Sequence, residues 1–185
     1  MKPEFDHPDA PPGKAGKYAL PERERRFLLR AVPPGDPIAS YVIEDRYLDA
    51  TRLRLRRMTP IDGAQAARAV QRKLVQKVPA ADGSPGLITN LYLSEDEYAR
   101  LAELPAASLR KTRHSIPPFG VDVFEGELEG LILAEIEFAT AEDEAAFEPS
   151  IPIVAEVTRD VRFTGGRLVR STAADLRPLL REFGL

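Results

Sequence analysis

The chain contains no cysteine, which excludes disulfides, thiolate nucleophiles and cysteine-ligated zinc. Histidine is nearly as scarce. His7 and His114 are the two present, too few for a histidine-rich metal site, so a bound metal would rely on carboxylate oxygens, which points to Mg²⁺ or Mn²⁺. No apolar run approaches the roughly 20 residues of a membrane helix, and the first residues lack a signal-peptide core. Neither sign of charge dominates. With 26 basic and 29 acidic residues the formal net charge is -3, so there is no overall basic field for nucleic acid, and any anion site must be local. No repeat of fixed period is present. The expectation is a soluble, cytoplasmic protein that binds neither nucleic acid nor membrane, with its oligomeric state, including a homodimer, left open.

At 185 residues and 43% hydrophobic content the chain is long enough for one domain with a sizeable core. Residues 1–20 read as a disordered tail, because Pro3, Pro8, Pro11, Pro12, Gly13 and Gly16 interrupt any period. The folded domain is expected over 21–185. Strand-like segments follow in quick succession at 21–30, 41–49, 51–58, 70–78, 86–93, 107–116, 119–124, 130–138 and 154–163. Helical signals lie between them. Ser94 with Glu97 three residues later is a capping box opening a helix with the apolar stripe Tyr98, Leu101 and Leu104. Ala141 to Phe147 and Thr172 to Phe183 read as two more helices, and Thr59 to Ala69 as either a long hairpin loop or a short helix. So many strands with little room for parallel crossovers predict an antiparallel sheet.

The charges on those strands are sorted. In Glu22-Arg23-Glu24-Arg25-Arg26-Phe27 the two-residue period places Glu22, Glu24 and Arg26 on one face and Arg23, Arg25, Phe27 and Leu29 on the other. Arg54 and Arg56 share a face, as do Lys73 and Lys77, Lys111 and Arg113, and Glu135 and Glu137. Neighbours at i, i+2 lie about 7 Å apart, close enough for like charges to repel where water is scarce. A solvated face would more naturally interleave the signs. Spacing alone leaves two arrangements open: an open sheet with one wet charged face, or a barrel whose charged faces point inward around a small ligand. A ligand that suits both sets of side chains is a metal-bound polyphosphate, with forked guanidiniums on its oxygens and carboxylates on the metal.

These segments resemble, in order, the CYTH or triphosphate tunnel metalloenzyme family. Glu22-Arg23-Glu24-Arg25-Arg26-Phe27 is similar to its Glu-x-Glu-x-Lys signature, with arginine in the lysine position. The likeness continues through Arg46-Tyr47-Leu48, Arg54-Leu55-Arg56, Lys77, Lys111-Thr112-Arg113, Asp122-Val123-Phe124, Ala134-Glu135-Ile136-Glu137-Phe138 and Glu156-Val157-Thr158-Arg159-Asp160, covering about residues 21–170. The resemblance implies a mainly β (α+β) fold: an eight-stranded antiparallel closed β-barrel, the triphosphate tunnel, with a few flanking helices.

It also implies roles. Arg54, Arg56, Lys77, Lys111, Arg113 and Arg26 would bind the triphosphate; Glu22, Glu24, Glu135, Glu137 and Asp122 would hold Mg²⁺ or Mn²⁺; and Glu24, Tyr47 and Arg26 would stand at the reacting phosphorus. Asp160 and Arg162 fit a structural salt bridge as well as a ligand contact. The function expected is metal-dependent hydrolysis of a small triphosphate, foremost inorganic tripolyphosphate. Thiamine triphosphate hydrolysis, ATP cyclisation of the class IV adenylyl cyclase kind and non-catalytic polyphosphate or nucleotide binding are the alternatives. The chain departs from the pattern in two ways. Arg26 cannot give up a proton as a lysine can, and the segment Leu87 to Tyr92, where the family usually carries a glutamate pair, has none, its polar residues Thr89 and Asn90 being neutral.

Overall fold

The computed structural model describes residues 18–61, 69–79 and 85–185. Most of the expected tail, and most of the Thr59 to Ala69 stretch, lie outside the described residues. The rest forms a mainly β, antiparallel fold with a few short helices: β1 (Leu20–Glu22), β2 (Glu24–Leu28), β3 (Ala39–Leu48), β4 (Leu53–Pro60), β5 (Gln71–Val78), β6 (Gly86–Tyr92), α1 (Glu95–Leu101), β7 (Ala106–Ile116), β8 (Phe119–Phe124), β9 (Ile132–Glu137), α2 (Ala141–Ala146), β10 (Ala155–Glu156), α3 (Gly165–Leu168) and α4 (Ala173–Arg181). All ten strands belong to one sheet in the order β1-β6-β5-β4-β3-β7-β8-β9-β2-β10.

This order corrects the expected count of eight strands, and among the described residues no ladder joins β1 to β10. The extra strands have a simple origin. The first expected strand is interrupted at Arg23, and its two halves pair at opposite ends of the sheet: Glu22 lies opposite Gly86 on β6, while Glu24 lies opposite Glu137 on β9. A single peptide segment thus links the two ends of the hydrogen-bonded order.

The last expected strand, 154–163, is largely absent. Only Ala155–Glu156 pairs, with Leu28 and Phe27. Asp160 then accepts from the Arg162 backbone N–H and caps a short 3₁₀ turn, Val161–Phe163, so local capping wins over the alternating pattern. The expected helices are present. Ser94 and Glu97 close their capping box on α1, Thr140 caps α2 and Thr172 caps α4. Arg162 pairs with Asp160 at 2.7 Å and with Glu182 at 2.8 Å, which makes the Asp160/Arg162 pair a structural bridge to the C-terminal segment.

Three apolar clusters form among the described residues, the smallest of them Ala39, Tyr41 and Ile43 on β3. Phe27, Val121, Ala134 and Ile136 pack on one face of the sheet with Phe147 and Ile151, which follow α2. On the other face Leu28, Phe124 and Leu133 pack with Val157, Phe163, Leu168 and Leu176 from the C-terminal segment. Among the described residues no helix is long and apolar enough to cross a membrane.

Candidate functional site

Register alone brings the sorted charges to one face. Directly opposed residues in an antiparallel ladder point the same way. Arg26 opposes Glu135 and Glu24 opposes Glu137; Arg113 opposes Asp122 and Lys111 opposes Phe124. Asp45 opposes Arg56, Tyr47 opposes Arg54, and Lys73 opposes Arg56. Glu22 joins them through its 2.6 Å ion pair with Lys77. Every residue expected at the site therefore lies on this face, and Arg23 and Arg25 lie on the other. Arg25 instead pairs with Glu156 at 2.7 Å and stacks over Phe27 and Phe147.

The side chains form a continuous ion-pair chain. Lys77 reaches Glu24 at 3.7 Å; Arg26 bonds Glu24 and, through Nε at 3.2 Å, Glu135; Arg113 bonds Glu135 and, at 2.6 Å, both oxygens of Asp122; Lys111 ends the chain on Asp122. Lys77 is on β5 and Glu24 on β2, strands near opposite ends of the sheet order, so these contacts cross the charged face.

Burial and charge act against each other along this chain. Burial would raise the Glu135 carboxyl, yet Lys111, Arg113, Arg26 and Lys77 hold it well below the usual carboxylate range. Burial pushes the Lys111 ammonium below the usual lysine range, with Asp122 acting the other way. Gly120 contributes by having no side chain. An added Cβ there would sit 3.4 Å from the Arg113 side chain, which lies across it toward Asp122 and Glu135.

The carboxylates divide into two kinds. Asp122 is fully buried and both its oxygens accept from Arg113 or Lys111, so it serves as their counter-ion. Glu137 is exposed and has no ion pair among the described residues. It faces Glu24 with a like charge, an arrangement that suits a hard divalent cation. Among the described residues no three acidic or histidine side chains gather into one cluster. Residues Thr89 and Asn90 fall on β6, Asn90 opposing Val75 and so sharing the charged face.

Tyr47 shares the face. Its hydroxyl lies beside Arg54 and against Gly165 of α3, where an added Cβ would run into it. Burial raises the Tyr47 pKa, and Arg54 opposes that rise. Sequence reading missed Asp45, which is buried and takes Arg56 in a two-point contact at 2.6 Å on each oxygen. Spacing alone gave no signal for it; the register of β3 against β4 sets Asp45 and Tyr47 opposite Arg56 and Arg54.

The fold and the face define an antiparallel sheet with cations of β4, β5 and β7 set against carboxylates of β1, β2 and β9. Among solved structures, two of the inorganic triphosphatase NE1496 share this fold. One aligns with a TM-score of 0.52 at 23% identity over 82% of this chain and 96% of its own. The other, solved as a hypothetical protein, gives 0.52 at 24% identity over 82% and 99%. No family model matches the chain, and no curated protein does either.

Proposed function

We propose that the chain is a member of the triphosphate tunnel family and hydrolyses a small triphosphate, inorganic tripolyphosphate first among candidates. The observation that carries the reading is the sorting of signs on one sheet face whose two ends are joined through Arg23. In this reading the face closes around the ligand as an eight-stranded tunnel, with β1 and β2 counted as one strand and the two-residue β10 left outside the ring. The fold shared with an inorganic triphosphatase supports it.

Arg54, Arg56, Lys77, Lys111 and Arg113 bind the phosphate oxygens, the guanidiniums through two-point contacts and the lysines as point charges. Arg26 neutralises charge at the reacting phosphorus without serving as a base. Glu24 and Glu137, with Glu22 and Glu135 beside them, would hold Mg²⁺ or Mn²⁺. Such an ion would supply phosphate charge neutralisation and activation of the attacking water. Glu24 orients that water, and Tyr47 positions Arg54. Positioning and electrostatics are most of what phosphoryl transfer asks of a protein.

A second reading is a polyphosphate-binding module without turnover. It is favoured by Asn90 on β6 and by the commitment of Glu24, Glu135 and Asp122 to ion pairs. One experiment separates the readings: tripolyphosphate, thiamine triphosphate and ATP, each with Mg²⁺ and with Mn²⁺, assayed for released phosphate and for cyclic AMP. Phosphate release greatest with tripolyphosphate supports the hydrolase, and cyclic AMP from ATP would redirect it to cyclisation. Binding of tripolyphosphate with no turnover of any substrate supports the module. Neither binding nor turnover would end both readings.

A further inference from the structure

Asp45 is the buried carboxylate to which neither the resemblance nor the expected chemistry gives a role. It lies on β3, opposite Arg56 in register, and is 1% exposed. Its Oδ1 accepts from Arg56 Nε and its Oδ2 from Arg56 Nη2, each at 2.6 Å. Arg54 Nε stands 3.7 Å from Oδ1, too far for a hydrogen bond, and that buried Nε has no hydrogen-bond partner.

The geometry of a guanidinium makes this contact directional. Its five N–H groups form a rigid fork. Asp45 takes the Nε/Nη2 edge of Arg56 and leaves the Nη1/Nη2 edge for another acceptor. Arg54 and Arg56 are also like charges at i, i+2 on one face, and a single carboxylate placed against both offsets their repulsion and restricts their rotamers.

We propose that Asp45 is a positioning residue: it fixes which guanidinium edge Arg56 presents, and where Arg54 lies, before a polyphosphate arrives. The inference rests on the triphosphatase reading above. It separates aim from attraction, because loss of the Asp45 charge makes the face more cationic while freeing the two arginines to move. Long-range attraction then rises as alignment falls.

The test uses Asp45→Asn in the full chain, with two measurements. Metal-free binding of tripolyphosphate is read by calorimetry, and steady-state hydrolysis with Mg²⁺ is read as kcat and KM separately. The expected result is binding as tight as wild type or tighter, with kcat down at least tenfold. A positioning role exercised through Arg56 further requires that Asp45→Asn cost little more in an Arg56→Gln background, less than threefold in kcat. Should Asp45→Asn not fold, Asp45→Glu keeps the charge but displaces the fork, and the same kcat loss at retained affinity is expected. An unchanged kcat in the folded variant, or equal losses with and without Arg56, would overturn the assignment. A wild type that neither binds nor cleaves tripolyphosphate would instead overturn the reading on which it rests.

Discussion

Glu24 and Glu137 stand directly opposite each other across the β2–β9 ladder. Glu24 has Arg26 and Lys77 as partners, whereas Glu137 has no ion pair among the described residues. Opposed like charges on a sheet destabilise by up to about 1 kcal/mol. Glu137→Gln is therefore expected to raise the thermal midpoint by about 2–4 °C in EDTA. It should also remove any extra stabilisation that Mg²⁺ gives the wild type, because one of the two opposed ligands is gone. A midpoint below wild type in EDTA would contradict the repulsion argument, and full Mg²⁺ stabilisation in the variant would remove Glu137 from the metal.

Asp122 carries the opposite expectation. It is the shared counter-ion of Lys111 and Arg113, so its removal leaves two cations facing each other where water is scarce. Asp122→Ala should cost about 3–5 kcal/mol, the usual range when one partner of a buried pair is deleted. Urea unfolding followed by circular dichroism measures this, and a loss below about 1 kcal/mol would mean that Lys111 and Arg113 do not depend on it.

Gly165 and Tyr47 are coupled by contact alone. An added methyl group at Gly165 would collide with the Tyr47 hydroxyl and lie 3.1 Å from Cζ of its ring. Gly165→Ala is expected to destabilise by about 1–3 kcal/mol, as overpacking does, and Tyr47→Phe in the same background should recover part of the loss. Additive losses in the double variant would place the damage elsewhere in the C-terminal segment.

The pH dependence of folding gives an independent view of Asp45. Burial alone would raise its carboxyl, but Arg56 and Arg54 more than offset this and hold it well below the usual range. A carboxyl depressed in the folded state contributes stability that is complete above its unfolded value, about 3.9, and is lost as pH falls through the folded one. The stability difference between wild type and Asp45→Asn should thus be constant from about pH 5 to 8 and shrink below about pH 4. A difference that stays level down to pH 2 would mean that the charge of Asp45 is not what stabilises the fold.

The strands and their charged faces were legible because the two-residue period and the sorted signs agree. Glu22, Glu24 and Arg26 needed no more than their spacing to be placed together. Asp45 was harder to see, because Glu44, Asp45 and Arg46 are consecutive charges and alternation cannot say which of them joins the charged face. The answer comes from the register of β3 against β4, which sets Asp45 opposite Arg56. The region after Glu156 misled for a different reason. Val157 to Phe163 alternates like a strand, yet Asp160 captures a nearby backbone N–H and turns the chain. The interruption at Arg23 left no mark in the pattern, since both halves keep the same faces and only their partners differ.

That interruption also bears on the order in which the chain can assemble during synthesis. Strands β3 to β6 are successive antiparallel neighbours within a short span, so their ladders can form soon after they emerge. The segment through Arg23 is made before any of them. Its first half must wait for β6, and its second for β9 and then β10, whose residues lie more than a hundred positions later. Phe27 and Leu28, both fully buried at the end, are among the earliest apolar residues made and among the last to find their ladder. A nascent chain halted before Ile132 would leave both without their β9 partners, and apolar surface displayed in this way favours aggregation.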